Sequence, residues 1–438
     1  MSLGGSLRRA IFFSRDRIKS QGIGSNLDEI RDELSEPSLV RERQSKRIRD
    51  LLNYATSNSL FYKKLVGKEL SDFPVVNKQI LIESYEEVCV PPALVPYQNG
   101  PLHIAKTSGS TGMVFKVPQD TRKRARRIAD LKYFGEQAGY QSHEPLVQLQ
   151  AFNVHNSADR LKSFKDNVYK FDASSMGDER LSELLEFIDR KSAVAVIGYA
   201  SWLSQLVNFV TNNSLSLGKI KTLKSLIAIS EHLHDDTKEK VEKLLNIDIV
   251  SRYSNEEQGV LAQQLAGDDA FKLNHASYYF EILKLDCDLP AEPGELGRIV
   301  VTDLFNYAFP MIRYDTGDTG IMGRAADTHD GFAFLSAIYG RRQDVVYSAA
   351  GEPIHPITLS RTLRVYPEIK QWQFIQKDSS RYIVKLNLYR PMDDKVIVDC
   401  VTKIFGEEAE VEVKVVSDIP VLASGKRRSV ICELEHEG

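Results

Sequence analysis

The chain has 438 residues, of which 42% are hydrophobic and 27% charged, a mixture typical of a folded globular protein and not of a disordered one. At roughly 100–200 residues per domain, this length predicts two or three domains. Lys and Arg (57) nearly balance Asp and Glu (60), and the net charge of −3 argues against a dedicated polyanion-binding protein. We therefore expect no nucleic-acid partner.

The cysteines are far apart, without C-x-x-C spacing or a Cys/His cluster, which is typical of reduced thiols in an intracellular protein. No run of 18 apolar residues is present, so we expect no membrane partner. The short apolar patch at residues 10–13 is followed at once by charged residues and is too short for a secretion signal. A cytoplasmic enzyme fits these features best. The cysteines are Cys89, Cys287, Cys400 and Cys432.

The first 140 residues contain three segments with helical features. Residues 40–66 place Ile48, Leu51 and Leu52 at helical spacing among charges, which predicts an amphipathic surface helix. Residues 73–88 predict a turn followed by a helix, and residues 121–139 predict another. A basic run opens this last helix, and we expect a solvated helix face, with steering of an anionic substrate as the alternative. The run consists of Arg122, Lys123, Arg124, Arg126 and Arg127.

The middle of the chain alternates helical periodicity with short apolar runs. Runs at 192–200, 225–230 and 247–254 predict buried strands, and continuous apolar runs are typical of a parallel sheet covered on both faces. From about residue 294, short strands with Gly and Asp turns predict a β-rich subdomain. The last hundred residues predict a small α+β unit that ends in a strand at 411–417. The fold class is therefore α/β, with a large domain over 1–340 and a small domain over 341–438.

The strongest local motif is a loop rich in Thr, Ser and Gly. Backbone N–H groups and hydroxyls in such a loop can close around phosphate oxygens. The flanking residues HIA and VFKV predict strand–loop–strand, whereas a Walker A loop would need G-x-x-x-x-G-K-[ST] opening a helix. An ordinary hairpin turn is the alternative. The loop residues are Thr107, Ser108, Gly109, Ser110, Thr111 and Gly112.

A second motif, RYSNEEQG at 252–259, directly follows a predicted strand. Ligands bind at the carboxyl ends of parallel strands. The aromatic ring of Tyr253 suits stacking on a base, and the carboxylates of Glu256 and Glu257 suit holding Mg²⁺ near phosphates. A polar loop with a helix N-cap is the alternative.

Three further motifs follow in the second half of the chain. RYDTGD at 313–318 carries two carboxylates, Asp315 and Asp318, beside a glycine. One of them could accept both hydroxyls of a ribose, or the pair could cap a turn. GRRQD at 340–344 marks the predicted domain boundary, and ASGKRR at 423–428 has the composition of a basic surface turn.

The order and spacing of TSGSTG, SEH (230–232), YSNEE, RYDTGD, GRRQD and SGK resemble the ANL superfamily of adenylate-forming enzymes. The N-terminal segment RQSKRIRDLLNYATSNSLFYKKL and the FPVVNK segment resemble its compact phenylacetate–CoA ligase-like branch. The resemblance covers roughly residues 40–430. It implies an AMP-forming ligase that uses ATP and Mg²⁺ to activate a small carboxylic acid, which we expect to be an aryl acid. The acyl group then passes to coenzyme A. A carrier-protein thiol or an amine as acceptor, and a non-catalytic nucleotide-binding relative, are the alternatives.

The resemblance also implies a role for each motif. The loop from Thr107 to Gly112 would hold the β- and γ-phosphates, and Glu257 would be the Mg²⁺ ligand. Lys426 would bridge the substrate carboxylate and the α-phosphate, carried by a mobile C-terminal domain whose hinge position corresponds to Gln343. Asp315 receives no role. The remaining nucleotide contacts would come from Ser230, Glu231, Tyr253, Ser254, Asp318 and Arg341.

The acid pocket is expected between the segment Gly198-Tyr199-Ala200 and the loop 251–259. His275 is a candidate for its wall, although a packed core histidine is the alternative. Homodimers are common in this branch, so the resemblance offers a homodimer by analogy, while the sequence itself leaves the oligomeric state open.

Overall fold

The computed structural model describes most of the chain. The described residues are 3–98, 100–107, 115–151, 160–174, 176–213, 221–324, 327, 331–341, 346–351, 353–354, 358–359, 362–363, 365–419 and 429–434. Ser108–Gly112, Gln343 and Lys426 lie outside these residues, so their predicted roles stay predictions.

The predicted helices near the N-terminus are confirmed, although the one predicted over residues 40–66 ends at Asn58. Residues 40–58 fall in α3 and residues 121–137 form α6, which Asp120 caps by accepting the Lys123 N–H at 2.8 Å. No described helix is both long and apolar enough to span a membrane. The helices are α1 (Leu3–Ile18), α2 (Ile23–Glu33), α3 (Pro37–Asn58), α4 (Lys78–Glu83), α5 (Tyr85–Val88), α6 (Thr121–Gln137), α7 (Arg160–Asp166), α8 (Asp178–Arg190), α9 (Ala200–Asn212), α10 (Asp235–Lys240, continued by a π-helical turn, Val241–Leu245) and α11 (Asp394–Phe405).

Within the described residues, the strands form one large sheet and three smaller ones. They are β1 (His103–Thr107), β2 (Phe115–Gln119), β3 (Leu146–Gln150), β4 (Val168–Asp172), β5 (Ala195–Tyr199), β6 (Ser225–Ile229), β7 (Asp248–Asn255), β8 (Gly259–Gln264), β9 (Phe271–Leu273), β10 (Tyr278–Leu283), β11 (Leu296–Asp303), β12 (Tyr314–Met322), β13 (Phe334–Arg341), β14 (Val346–Tyr347), β15 (Pro353–Ile354), β16 (Ile369–Gln376), β17 (Arg381–Leu388), β18 (Glu410–Val415) and β19 (Val430–Cys432).

The predicted parallel sheet is confirmed in the strands β4-β3-β5-β6-β7, each parallel to its neighbour. Both faces are covered, as the continuous apolar runs predict. Leu226 and Ala228 of β6 pack with α8 and α9, whereas Ile227 between them packs against Ala138 at the end of α6. All carboxyl ends of these strands therefore meet at one edge of the sheet.

The β-rich part of the chain extends this same sheet. The strand order continues from β7 through β8, β9, β13, β12 and β11 to β10. The pairings of β7 with β8, β8 with β9, β9 with β13 and β10 with β11 are antiparallel. The antiparallel part therefore begins at Gly259, well before residue 294, because the turn after β7 reverses the chain directly.

A second sheet has the order β18-β17-β16-β19, with α11 packed on it through Ile397, Val401 and Phe405. The predicted final strand is confirmed as β18, but the prediction that no strand follows it is wrong, because β19 pairs parallel with β16. Three residues are too few to show periodicity. By contacts, the chain divides into one unit of residues 1–316 and 320–338 and another of 317–319 and 339–438.

The expectation that the basic run of α6 lies on a solvated face is wrong for two of its members. Lys123 and Arg126 are fully buried. The Lys123 ammonium lies 2.5 Å from the Asp303 carboxylate and donates to the Tyr278 hydroxyl at 3.0 Å. Arg126 donates to the Ser277 hydroxyl and to the Ala276 carbonyl, both at 2.8 Å. These side chains attach α6 to the segment between β9 and β10.

Replacing Lys123 with Met should lower the free energy of unfolding of the first unit by about 3–5 kcal/mol, because it leaves Asp303 buried without its counter-charge. The chain has two tryptophans, so Trp202 alone reports on this unit in a Trp372→Phe background. Urea denaturation followed by its fluorescence measures the change. The exposed helical Lys46→Met is the matched control and should alter stability by less than about 0.5 kcal/mol. Equal loss in both variants would contradict the role of the buried pair.

Candidate active site

The strand–loop–strand prediction around the Thr/Ser/Gly loop is confirmed by its flanks. β1 and β2 pair antiparallel, with Thr107 opposite Phe115 at the end from which the loop leaves. Thr107 is buried, and its hydroxyl accepts a hydrogen bond from the Lys78 ammonium at 3.0 Å. Sequence reasoning missed Lys78, although Asn77 signals its position by capping α4. A cation therefore lies at the start of the predicted phosphate loop.

The register of the parallel strands places three predicted segments side by side. Tyr199 at the end of β5 is opposite Ile229 of β6, and Ile229 is opposite Arg252 of β7. The residues that follow, Ala200, Ser230 and Tyr253, therefore start from adjacent positions at the carboxyl edge. This is the position at which parallel sheets bind ligands.

Glu231 has a structural role that its motif does not reveal. Ser230 adopts a left-handed backbone conformation (φ 65°), which turns the chain sharply after β6. The Glu231 carboxylate then accepts the backbone N–H of Ser201 at 2.9 Å, in the first turn of α9. The N-cap residue of α9, Tyr199, makes no side-chain cap. Glu231 thus supplies an acceptor and a negative charge to this helix end from another loop.

The three residues predicted to line the acid pocket after β5 differ in their surroundings. Tyr199 is half-buried and stacks on Trp202, with ring centroids 4.3 Å apart. Burial, followed by the charges of Glu231 and Glu256, raises the pKa of Tyr199. At Gly198 a Cβ atom would lie 2.8 Å from that of Leu149, so close strand packing requires this glycine. Ala200, the first residue of α9, is buried in the core.

Tyr253 is held in place by a hydrogen-bond chain. Its hydroxyl donates to the Thr316 hydroxyl at 3.1 Å, which in turn donates to the Ile299 carbonyl at 2.9 Å. The β7–β8 register shifts between Tyr253 and Ser254, so a bulge occurs where the motif begins. Ser254 is half-buried beside it.

The two glutamates of the YSNEE motif occupy different environments. The Glu256 side chain is 67% exposed, and its carboxylate pairs with Arg127 at 3.0 Å. Glu257 is buried in the β7–β8 turn, and its carbonyl accepts a hydrogen bond from the Gln119 side chain at 3.0 Å. Gln119 ends β2, so this bond joins the hairpin of the predicted phosphate loop to the turn that carries Glu257.

The β7–β8 turn is also fixed by hydrogen bonds within it and from Tyr278. Asn255 accepts the Gln258 N–H at 2.8 Å, and the Tyr278 hydroxyl donates to the Gln258 carbonyl at 2.8 Å. Tyr278 is the residue to which Lys123 donates. The buried ion pair under α6 therefore supports the turn that carries the candidate metal ligand.

The RYDTGD motif divides between structural and candidate binding residues. Arg313 is buried with a left-handed backbone (φ 50°), and its guanidinium contacts the Glu281 carboxylate at 3.0–3.2 Å. Asp315 pairs with Arg298 at 3.0 Å. Asp318 is half-buried on β12, within the three residues that group with the second unit. Its ribose role stays a prediction.

Two further predicted site residues are Arg341 and His275. Arg341 is the last residue of β13, and its side chain lies outside the described part of the structure. His275 lies beside Phe332 and Phe280, and its Nε2 is 3.0 Å from the Ala333 carbonyl. These are packing contacts, and the role of His275 in the pocket wall stays a prediction. No cluster of three His, Cys, Asp or Glu side chains occurs among the residues that the structure describes.

The comparisons with solved structures show which fold this is. 2-Hydroxyisobutyryl-CoA ligase, in its postadenylation state with 2-HIB-AMP, matches with a TM-score of 0.68 at 17% identity, covering 89% of each chain. ATP-bound MatB from Rhodopseudomonas palustris matches with a TM-score of 0.56 at 14% identity, covering 74% of this chain and 66% of MatB.

The chain therefore has the same fold as these two solved proteins. Two sequence matches point to a related protein. Protein CapK of Staphylococcus aureus is 21% identical over 414 residues, which cover 89% of this chain and 88% of CapK. Residues 346–433 match the family of the CapK C-terminal domain.

The cap on α9 can be tested separately from nucleotide binding. Glu231→Ala should lower the free energy of unfolding by about 1 kcal/mol, because the Ser201 N–H loses its acceptor. Glu231→Gln should retain most of the stability, since its amide oxygen still accepts. Urea denaturation in the Trp372→Phe background measures both. Glu186→Ala, an exposed change within α8, is the control, and Glu231→Ala unfolding like this control would contradict the cap.

Proposed function

We propose that this protein is an AMP-forming acid ligase. It activates a small carboxylic acid with ATP to an acyl adenylate and transfers the acyl group to coenzyme A. The hydrogen bond from Gln119 to the Glu257 carbonyl carries the proposal, because it joins the hairpin of the phosphate-loop motif to the metal-ligand motif. The likeness to two CoA ligases solved with an acyl-AMP, and to MatB solved with ATP, supports it.

Mg²⁺ fits the proposed site. It usually binds proteins through one or two carboxylates and completes its shell with substrate phosphates and water, so no cluster of protein ligands is required. Glu257 is the better of the two candidates because Glu256 is exposed and paired with Arg127. When bound, Mg²⁺ neutralises phosphate charge.

The proposed mechanism depends on positioning and on charge neutralisation. The attack of a carboxylate on the α-phosphorus brings two anions together, so the site must offer positive charge and N–H donors where they meet. The loop after Thr107 binds the terminal phosphates, with the Lys78 ammonium at its start. Tyr253 packs on adenine at a ring position fixed by Thr316. Lys426 bridges the acid and the α-phosphate, a task that suits a compact ammonium on a flexible stem.

Acid-dependent exchange of pyrophosphate into ATP tests the first half-reaction. A panel of aryl and short aliphatic acids should contain at least one that supports exchange. Lys426→Ala should slow exchange with that acid about 100-fold or more while ATP still binds. Absence of exchange across the panel would overturn the proposal, and equal exchange by variant and parent would overturn the role of Lys426.

The two glutamates provide a matched pair of variants. Glu257→Gln should raise the Mg²⁺ concentration needed for half-maximal exchange by about tenfold or more, because it removes the carboxylate charge from the metal site. Glu256→Gln makes the same chemical change one residue away and should leave this concentration within about twofold. The reverse order would assign the metal to Glu256.

A second candidate function keeps the adenylate and changes the acceptor to a carrier-protein thiol or an amine. The match of residues 346–433 to the CapK C-terminal domain keeps this candidate open, because that family is not named for coenzyme A transfer. Mass spectrometry after addition of coenzyme A separates the two. A thioester supports the first candidate, and accumulated acyl-AMP without a thioester supports the second. A homodimer stays a prediction.

A further inference from the structure

A cavity of about 140 Å³ lies at the base of the β1–β2 hairpin. Its wall includes His103 and Gln119, which are register partners at the end of the hairpin away from the loop. Arg124, from the first turns of α6, lines it as well, and Gln21 and Ile23 contribute from the α1–α2 connection. Segments far apart in sequence therefore converge on it.

Among the described residues, no carboxylate forms an ion pair with the half-buried Arg124. Within the described part of the chain, its guanidinium makes no hydrogen bond and no ion pair, unlike that of Arg127. Burial, followed by the charge of Arg127, lowers the pKa of Arg124, and Glu256 only partly opposes this. The Glu256 carboxylate pairs with Arg127. A cation that is partly desolvated and repelled by its neighbour stabilises an incoming anion.

Among the described residues, the other ionisable groups around the cavity make no hydrogen bond or ion pair with Arg124. Burial, then Arg124 and Arg127, lower the pKa of His103, which favours its neutral form. Asp120 lines the cavity, but its carboxylate oxygens accept the backbone N–H groups of Lys123, Tyr307 and Ala308. Both Asp120 oxygens are thus already bound to donors, whereas no described group accepts a hydrogen bond from Arg124, so the guanidinium is the charged group left to bind a ligand in the cavity.

The cavity is connected to the proposed active site by one side chain. Gln119 lines it and donates to the Glu257 carbonyl. His103 is four residues from Thr107, or about 13 Å along an extended strand. This separation places the cavity outside the phosphate-loop motif.

We propose that this cavity binds an anionic group, a carboxylate or a phosphate, that belongs to a reactant and lies outside the reacting centre, with Arg124 as its ligand. The proposal rests on the proposed ligase function. Two sources offer this chemistry: a second carboxylate on the acid substrate, and the 3′-phosphate of the coenzyme A acceptor.

Binding is tested first without catalysis, using inorganic phosphate as the probe. NMR titration of the His103 ring, assigned with His103→Gln, should show its pKa rising when phosphate is added, because an anion beside Arg124 favours the protonated ring. Arg124→Gln should raise the phosphate concentration for half of this shift tenfold or more, and Arg124→Lys should restore part of it. Arg49→Gln, an exposed arginine on α3, should behave as the parent. A His103 pKa that phosphate does not move overturns the subsite.

Kinetics then identify the source. If the group is a second carboxylate, Arg124→Gln raises KM tenfold or more for dicarboxylic acids but not for matched monocarboxylic acids. If it is the acceptor phosphate, the variant raises KM for coenzyme A and abolishes the preference for coenzyme A over its dephospho form. Phosphate binding with neither KM changed overturns the assignment to a reactant. Absence of exchange by the parent with every acid overturns the ligase function instead, and the His103 titration is still informative about the cavity.

Discussion

The fully buried ion pair between Lys123 and Asp303 is the constraint on which the candidate site depends. A buried cation is costly unless it is paired and hydrogen-bonded, and Lys123 meets both conditions through Asp303 and Tyr278. The Tyr278 hydroxyl in turn donates a hydrogen bond to the Gln258 carbonyl, in the turn that carries Glu257. The position of the candidate metal ligand therefore follows from a charge pair that does not itself contact the site.

Other motif residues show the same division between charges that build the fold and charges left for binding. Arg313 and Asp315 are committed to Glu281 and Arg298, so the motif that carries Asp318 is fixed at its start by two ion pairs. Glu231 caps α9 while lying in the loop expected to contact adenine. A side chain with a structural partner has a defined orientation, which lowers the entropic cost of forming a binding surface next to it.

The sequence predicted the parallel strands well because β5, β6 and β7 are continuous apolar runs between helical segments, a pattern that few other structures share. It placed Tyr253 and Glu257 at a strand end for the same reason. It could not predict that Gln119 joins the hairpin to the Glu257 turn, because nothing in a local pattern indicates a contact between residues 138 positions apart. The Arg124 cavity was missed because its walls come from three distant segments.

The basic run of α6 shows why composition alone led to the wrong prediction of a solvated helix face for Lys123 and Arg126. At 3.6 residues per turn, Lys123 and Arg126 share one face of the helix, and Arg124 and Arg127 share the next. Both stripes are equally charged, so periodicity cannot tell which is buried. The difference arises from their partners. In the first stripe, Lys123 pairs with Asp303 and Arg126 donates to the Ala276 carbonyl. In the second stripe, among the described residues, only Arg127 pairs with a carboxylate. One helix thus uses a buried stripe to hold the fold and leaves a single arginine of the other stripe available to an anionic ligand.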